Sequence, residues 1–565
     1  MPLVDRFPRL REREDHIVLV LTLVIGVLTG LTVVAFILLT ERLGMRLYPP
    51  SSAPWRRVLI PIAGSLAMGY LLYRFFPDAR GSGVPQTKAA LYARGGVITL
   101  GTILGKFFCT ATTLASGIPL GREGPSVQVG GGIASVLGRY FGLSSDRVKA
   151  LLPVGAAAAI AAAFNTPLAA VVFSLEEITG DLHAPVLGSV VLASATSWMV
   201  LRLSLGNHPL FKVPQYELAH PLEFAIYAVL GIAGGLVSVA FTKLLLKTRE
   251  WFLRRKKFVW LQPAAGGVVV GVMALFVPQV LGVGYGYVGE ALNGRMAVGL
   301  MALLVVLKLV AVTTSYGSGN AGGIFGPSLF IGAMLGGTVG GIAHRLLPNH
   351  TAAAGAYALV GMGTLFAGIV RAPMTSVLMI FETTQDYAVI VPLMISNLVS
   401  FFISSRLQRE PIYESLAYQD GIHLPNAATR HQRGGRQIAQ LMKPAGEALP
   451  AGMSVLDALN LAQTSHNHCW LICDERGVIG VISKTALEEA SKQGDATRVG
   501  DLTDGQSFPH LHGDQSVHAA LERMGTAGLD LLPVVSRADV HKLEGVARLE
   551  DVLDSYGIGA KQQAG

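Results

Sequence analysis

Charge is scarce in this chain: Asp, Glu, Lys and Arg make up 15% of its 565 residues, where a soluble globular domain carries about a quarter. Cysteine is scarcer still. Cys109, Cys469 and Cys473 are the whole complement, and an odd, low count argues against a disulfide framework. No HExxH stands anywhere in the sequence, and no GxSxG. Those are the metal-binding and serine-nucleophile patterns that an intramembrane protease needs, so that class is a distant alternative. Acidic residues are outnumbered, 37 to 45, for a net charge of +8. The excess does not point to nucleic acid, because it clusters beside apolar segments: Arg6, Arg9, Arg11 and Arg13; Arg254, Arg255, Lys256 and Lys257; Arg430, Arg433 and Arg436. Such clusters mark cytoplasmic faces. They put both termini and the 254–257 loop inside, with an even number of crossings between. The polar start and the length of the first apolar run argue against a cleavable signal peptide.

What the chain has in abundance is apolar sequence, 51% of the residues, distributed unevenly. Long runs recur between about 16 and 403, among them HIVLVLTLVIGVLTGLTVVAFILLT (16–40) and AVGLMALLVVLKLVAV (297–312). The first is long enough to cross a bilayer as a helix; several others are short and broken by Gly or Pro. From about 437 the pattern turns to short alternating runs with ordinary charge. The expected organisation is a cytoplasmic segment (1–15), a membrane domain (16–420), a linker (421–436) and a soluble tail.

The membrane half repeats itself. GREGP (121–125) has a counterpart in GIFGP (323–327), and GAAAAIAAAFNTPLAAVVFSLEE (155–177) in GMGTLFAGIVRAPMTSVLMIFET (361–383). Pro125 and Pro327 lie 202 residues apart, Pro167 and Pro373 lie 206 apart. Internal repeats with Gly/Pro-broken helices in matching positions point to a transporter whose site lies where the halves meet. The tail repeats too: 454–490 parallels 516–556, each reading as helix, strand, turn, strand near Gly480 or Gly545, and helix.

Within the first repeat, Glu123 stands among glycines and prolines in otherwise apolar sequence, where an isolated charge is costly. Proline favours the first turn of a helix, so Pro125 is expected to open one, with Gly121–Gly124 as lead-in. Pro327 and, in GSGVP (81–85), Pro85 are expected to do the same. Helix starts carry unpaired N–H groups and a positive dipole end, which attract anions, and glycine lets backbone approach a ligand. Ser82 adds a hydroxyl. Three such starts converging in a membrane make a donor cage for a small monovalent anion. Glu123 is then a tethered imitation of that anion, displaced by it and released by protonation. The other reading is a buried ion pair with Arg122.

These stretches, with the tyrosine of PIYESL (411–416), resemble the CLC family of chloride channels and chloride/proton exchangers over about 16 to 420. The resemblance implies an all-α, multi-span membrane domain with an inverted repeat and broken, re-entrant helices, assembled as a homodimer in the cell (inner) membrane. It implies chloride bound by the Ser82 hydroxyl, the Tyr413 phenol and the amides of Ile324 and Phe325, with Gly81, Gly83 and Gly124 around it. Glu123 would be the external gating glutamate. Glu177, second of the LEEI pair, falls at the internal proton glutamate of the exchangers; its other reading is an ordinary cytoplasm-facing carboxylate. Glu176 matches Glu382 in the repeat and reads as structural. Lys106 matches a buried family lysine, and Lys88 stands where some exchangers have a glutamate. The implied function is chloride/proton antiport, with a passive chloride channel of the same fold as the alternative. The serine at position 82 implies chloride, with bromide and nitrate tolerated.

The tail resembles the paired CBS domains attached to such proteins, with repeats at 437–495 and 496–558. CBS pairs bind adenine nucleotides through an aspartate after the final strand. The first repeat has Ala486 there (GVISKTA, 480–486), the second has Asp551 but Arg548 in place of the hydroxyl residue (GVARLED, 545–551). Asp551 is therefore the nucleotide candidate, with a purely structural dimerising tail as the other reading. HNHCWLIC (466–473) reads either as a metal set of His466, His468, Cys469 and Cys473 or as a buried strand with small thiols, and the strand is the expectation. No cofactor or metal is expected to be required.

Overall fold

The computed structural model describes residues 14–49, 53–182, 185–206, 211, 213–214, 216, 218–255, 257–422, 437–446, 448–464, 469–491, 498–503 and 508–555. The chain divides into two compact units, 1–424 and 425–565. His466, His468, the clusters Arg6–Arg13 and Arg430–Arg436, and most of the expected linker lie outside the described residues.

The first unit is helical: α1 (Glu14–Leu47), α2 (Arg56–Arg74), α3 (Val84–Ala93), α4 (Leu100–Ala115), α5 (Glu123–Tyr140), α6 (Ser145–Phe164), α7 (Pro167–Phe173), α8 (Leu187–Leu205), α9 (Glu223–Leu253), α10 (Gln262–Phe276), α11 (Tyr285–Leu292), α12 (Val298–Gly317), α13 (Phe325–Leu346), α14 (Ala354–Val370), α15 (Pro373–Thr384), α16 (Ile390–Leu407) and α17 (Ile412–Gln419). Eight of the described helices are long and apolar enough to cross a membrane; α3, α7, α11 and α17 are far too short.

The repeat seen in the sequence is a repeat of packing. In α5 against α6, a Cβ on Gly130 would lie 2.2 Å from the Gly155 carbonyl oxygen, and one on Gly155 would lie 2.1 Å from that of Gly130. Gly332 of α13 and Gly361 of α14 stand in the same relation, at 2.3 Å each way. Glycine at these crossings lets backbone pack on backbone, as membrane helices do. Both long helices then break in the same way. Asn165 after α6 and Arg371 after α14 take the left-handed conformation, at φ 60° and 65°, and a proline opens the next short helix, α7 or α15.

The two halves cap each other across that break. The Glu382 carboxylate accepts from the amides of Leu168 (2.9 Å) and Ala169 (2.7 Å) at the start of α7. Glu176 accepts from the Thr375 amide (2.8 Å) and hydroxyl (2.7 Å) at the start of α15. The structural reading of Glu176 is thus the observed one.

The second unit carries the expected helix–strand–strand–helix order twice. β1 (Ala448–Pro450), α18 (Val455–Thr464), β2 (Cys469–Asp474), β3 (Gly477–Ser483) and α19 (Lys484–Ser491) form the first lobe. α20 (Val517–Ala527), β4 (Leu531–Val535), β5 (Leu543–Arg548) and α21 (Leu549–Ser555) form the second. β1 runs parallel to β2; the pairs β2–β3 and β4–β5 are antiparallel. The second strands begin at Gly477 and Leu543, ahead of Gly480 and Gly545; Asp474 accepts from the Arg476 amide (2.8 Å) in the turn after β2, and Asp539 from the His541 amide (3.0 Å) in the turn after β4. The lobes also exchange segments. Ile438 packs with Leu511 and Leu532 in the second core, whereas Val499 packs with Leu449 and Trp470 in the first. Cys469 and Cys473 lie in β2, as the strand reading requires; the metal reading also needs His466 and His468, which lie outside the described residues.

The glycine crossings make a direct prediction. Gly130→Leu and Gly332→Leu each drive a branched side chain into a backbone carbonyl, and each is expected to eliminate the monodisperse peak in detergent gel filtration. Gly188→Ala, where a Cβ meets nothing within 4 Å, should elute as the parent does. Normal elution of both leucine variants would contradict the packing.

Candidate functional site

Helix starts assemble the centre of the first unit. The helices begin earlier than their prolines suggest: α5 starts at Glu123 and α13 at Phe325, so Pro125 and Pro327 are third residues, and the expected lead-in 121–124 is half helix. The reason is that a first-turn N–H has no intrahelical acceptor, so its loss at proline is free anywhere in that turn. Glu123 therefore sits in the first turn rather than before it.

Gly121 and Gly323, equivalent residues of the two repeats, exchange both backbone hydrogen bonds at 2.7 Å, the Gly121 amide to the Gly323 carbonyl and the reverse. This antiparallel bridge sets the starts of α5 and α13 face to face. The start of α3 closes against them. Gly83 has φ 106°, and a Cβ there would lie 2.2 Å from the Gly124 carbonyl oxygen; one on Gly124 would lie 2.9 Å from Ser82 Oγ. Only glycine permits this approach. Gly81, also left-handed at φ 85°, turns its carbonyl onto the Lys106 ammonium (2.7 Å), which also donates to Ala79 O (2.8 Å).

The Glu123 carboxylate is fully buried. Its Oε2 accepts from the Gly326 amide of α13 (3.2 Å), and its Oε1 accepts from the Tyr285 hydroxyl of α11. The alternative pairing with Arg122 is not found. Among the described residues no ion pair joins them, and the Arg122 guanidinium lies 5.9 Å over the Tyr285 ring. Glu123 thus rests on a helix-start amide from the other half of the chain.

Ser82 and Tyr413 are both fully buried, and among the described residues neither Ser82 Oγ nor Tyr413 Oη has a hydrogen-bond partner. Two buried hydroxyls left without partners are costly unless something accepts from them. An anion fits that need. Ile324 and Phe325 are buried at the start of α13, where their amides belong to the set that the helix leaves without acceptors. The Phe325 ring turns away into the core, 4.3 Å from Phe366 and 5.0 Å from Phe164. The Ser82 amide donates to Tyr316 Oη at 3.1 Å. A cavity lined by Arg80, Gly81, Gln86, Arg249, Tyr316 and Asn320 opens beside these groups.

Glu177 has a setting that the sequence did not suggest. Ser174–Thr179 form a π-helical turn. There adjacent glutamates serve different partners, Glu176 capping α15 and Glu177 turned inward. The Lys88 ammonium donates to Glu177 Oε1 and to Glu414 Oε1, both at 2.6 Å, and all three residues are buried. Tyr413 is within electrostatic reach of both Glu177 and Glu123.

Sequence reading missed α11, Tyr285, Tyr316, Glu414 and Lys308. One signal was available. Lys308 lies 202 residues after Lys106, the offset of the repeat. In the second unit, Asp551 is held by Lys443 at 2.5 Å, and this carboxylate raises the pKa of the exposed ammonium. Arg548 lies 3.7 Å from Glu550.

Residues 64–405 match the family model described as voltage gated chloride channel. The H(+)/Cl(-) exchange transporter ClcA of Vibrio campbellii is 34% identical over 418 residues, covering 71% of this chain and 89% of that protein. Its namesake in Salmonella paratyphi B is 33% identical over 430 residues, covering 73% and 91%. Among solved structures, a slow cyanobacterial Cl-/H+ antiporter superposes with TM-score 0.65 at 28% identity over 71% of this chain and 97% of its own. A eukaryotic CLC transporter, 20% identical, shares the fold with TM-score 0.67 over 94% of this chain and 97% of its own.

The buried cluster around Lys88 yields a stability prediction. Removing one member of a buried ionic set costs about 3–5 kcal/mol because its partners stay buried. Lys88→Met should therefore lower the thermal midpoint in detergent markedly, and adding Glu414→Gln should restore part of the loss. An unchanged midpoint for Lys88→Met would contradict the cluster.

Proposed function

Because the chain belongs to the voltage gated chloride channel family, we propose that it is a secondary active antiporter exchanging chloride for protons across a membrane. The observation that carries this reading is the Glu123 carboxylate seated on the Gly326 amide. An ionised glutamate occupies a helix-start amide as an anion does. A proton on that carboxylate removes its charge and most of its hold on the donors. Chloride then takes the amides, and the neutral side chain carries the proton away. One residue that is either the plug or the proton carrier couples the two ions.

Chloride is bound by Ser82 Oγ, Tyr413 Oη and the amides of Ile324 and Phe325, with Gly81, Gly83 and Gly124 giving it room. The partnerless, buried state of both hydroxyls supports this assignment. A site of neutral donors binds firmly enough to select a halide and weakly enough to release it. Glu177 is the inner proton group, exchanging its proton while sharing the Lys88 ammonium with Glu414. A buried carboxylate hydrogen-bonded to Lys88 suits that role better than an ordinary surface carboxylate does.

The protein is a homodimer of the bacterial inner membrane, with both termini cytoplasmic. The bacterial relatives support the membrane assignment and the basic clusters flanking the apolar runs support the orientation, while the dimer rests on the resemblance to the family. The second unit is a CBS pair, a reading that its twice-repeated helix–strand–strand–helix order supports. An adenine nucleotide at Asp551 meets a carboxylate whose Oδ1 already holds Lys443 while its Oδ2 has no partner among the described residues.

The test is purified protein in liposomes under a chloride gradient, with external pH recorded. The parent should drive protons uphill as chloride runs down, and Glu123→Gln should pass chloride with no proton movement. Chloride flux without any pH change in the parent would make the protein a channel and overturn antiport.

A further inference from the structure

α11 is the second-repeat counterpart of α3, although no proline opens it. Gly282 and Gly284 adopt φ 61° and 87°, as Gly81 and Gly83 adopt 85° and 106°, each 201 residues earlier. The two loops are fastened by the same device. Lys106 donates to Ala79 O and Gly81 O; Lys308, its repeat mate, donates to Val280 O (3.0 Å) and Gly282 O (2.6 Å). The hydroxyl, however, has moved. Ser82 corresponds to Val283, which has none, and the second copy carries its hydroxyl two residues on, at Tyr285.

That hydroxyl goes to the tethered anion rather than to a free one. Tyr285 donates to Glu123 Oε1 while the Gly326 amide holds Oε2. The phenol is fixed from three sides. Phe211 packs edge-on at 5.7 Å, the Arg122 guanidinium lies over the ring, and Gly326 lies beneath, where a Cβ would come 2.9 Å from Tyr285 Oη and 3.1 Å from Glu123 Oε2.

We propose that Tyr285 is a latch on Glu123: a positioning residue that holds the ionised carboxylate in the anion site and so sets how readily chloride displaces it. This rests on the transport reading above. Seating the carboxylate makes the phenol hydrogen bond and releasing it breaks that bond, so Tyr285 adds to what a halide must overcome to take the Gly326 amide. The charged or titratable groups facing Glu123 are Tyr285, Arg122 and Tyr413. Of these, Tyr285 is the one hydrogen-bonded to it among the described residues.

The experiment is chloride titration by calorimetry of the full chain in detergent at neutral pH, for the parent, Tyr285→Phe, Glu123→Ala and the double variant. Phenylalanine keeps the ring and its packing. A hydrogen bond to a charged group sets the scale: Tyr285→Phe should tighten chloride binding roughly tenfold. In the Glu123→Ala background, Tyr285→Phe should change nothing. In liposomes, the ratio of chloride flux at acid pH to that at neutral pH should fall toward one in Tyr285→Phe. A packing lesion alone would weaken binding, not strengthen it. Unchanged or weaker binding in Tyr285→Phe, or an equal shift with and without Glu123, would overturn the latch. Absence of chloride binding in every variant, Glu123→Ala included, would instead bring down the transport reading, and the latch with it.

Discussion

Two glycine residues of equivalent sequence position, Gly121 and Gly323, exchange hydrogen bonds at the centre of the membrane unit. That bridge forces two helix starts together where water is scarce and where amides must still find acceptors. Everything around it follows from the need to satisfy those donors. A fixed anion would satisfy them permanently and make a structural site. Glu123 satisfies one of them conditionally, because its charge depends on a proton. In the proposed exchange, the same shortage of acceptors that makes the arrangement expensive is what lets an anion compete for it.

The halves provide a symmetric frame for an asymmetric function. The frame includes the glycine crossings of α5 with α6 and of α13 with α14, the reciprocal capping by Glu176 and Glu382, and the loop-fastening lysines Lys106 and Lys308. At the positions that face the site the symmetry is broken. Glu123 answers to Phe325, whose ring is turned into an aromatic cluster, and Ser82 answers to Val283. One copy contributes a titratable group and a buried hydroxyl without a partner among the described residues, and the other contributes amides and apolar walls. Burying a titratable carboxylate beside two donors is tolerable because the surrounding helix pairs, packed backbone on backbone, over-determine the geometry.

Much of this was legible in the sequence, for stated physical reasons. Proline in a first turn and glycine beside it mark a helix start that must approach something, which points to α3, α5 and α13, with Ser82 just before α3 and Glu123 opening α5. Their first residues were placed too late, because proline is tolerated throughout the first turn. α11 escaped because Gly286 stands where Pro85 stands in the first copy, and its glycines alone read as an ordinary turn. Tyr285 escaped with it. The Lys88 cluster was out of reach for another reason: its partners lie 89 and 326 residues away along the chain, and no local pattern joins them. In the tail, β-branched runs gave the strands, while the exchange of segments between lobes left no local trace.

In the proposed exchange, halide and carboxylate compete for the same buried donors. The most direct measurement is a crystal structure of the full chain in bromide, with anomalous scattering, for the parent and for Glu123→Gln. A bromide peak is expected within contact of Ser82 Oγ and Tyr413 Oη in both, and a second peak at the Gly326 amide only in the glutamine variant. No bromide at either hydroxyl, or the same peak at the Gly326 amide with Glu123 still seated there, would contradict it.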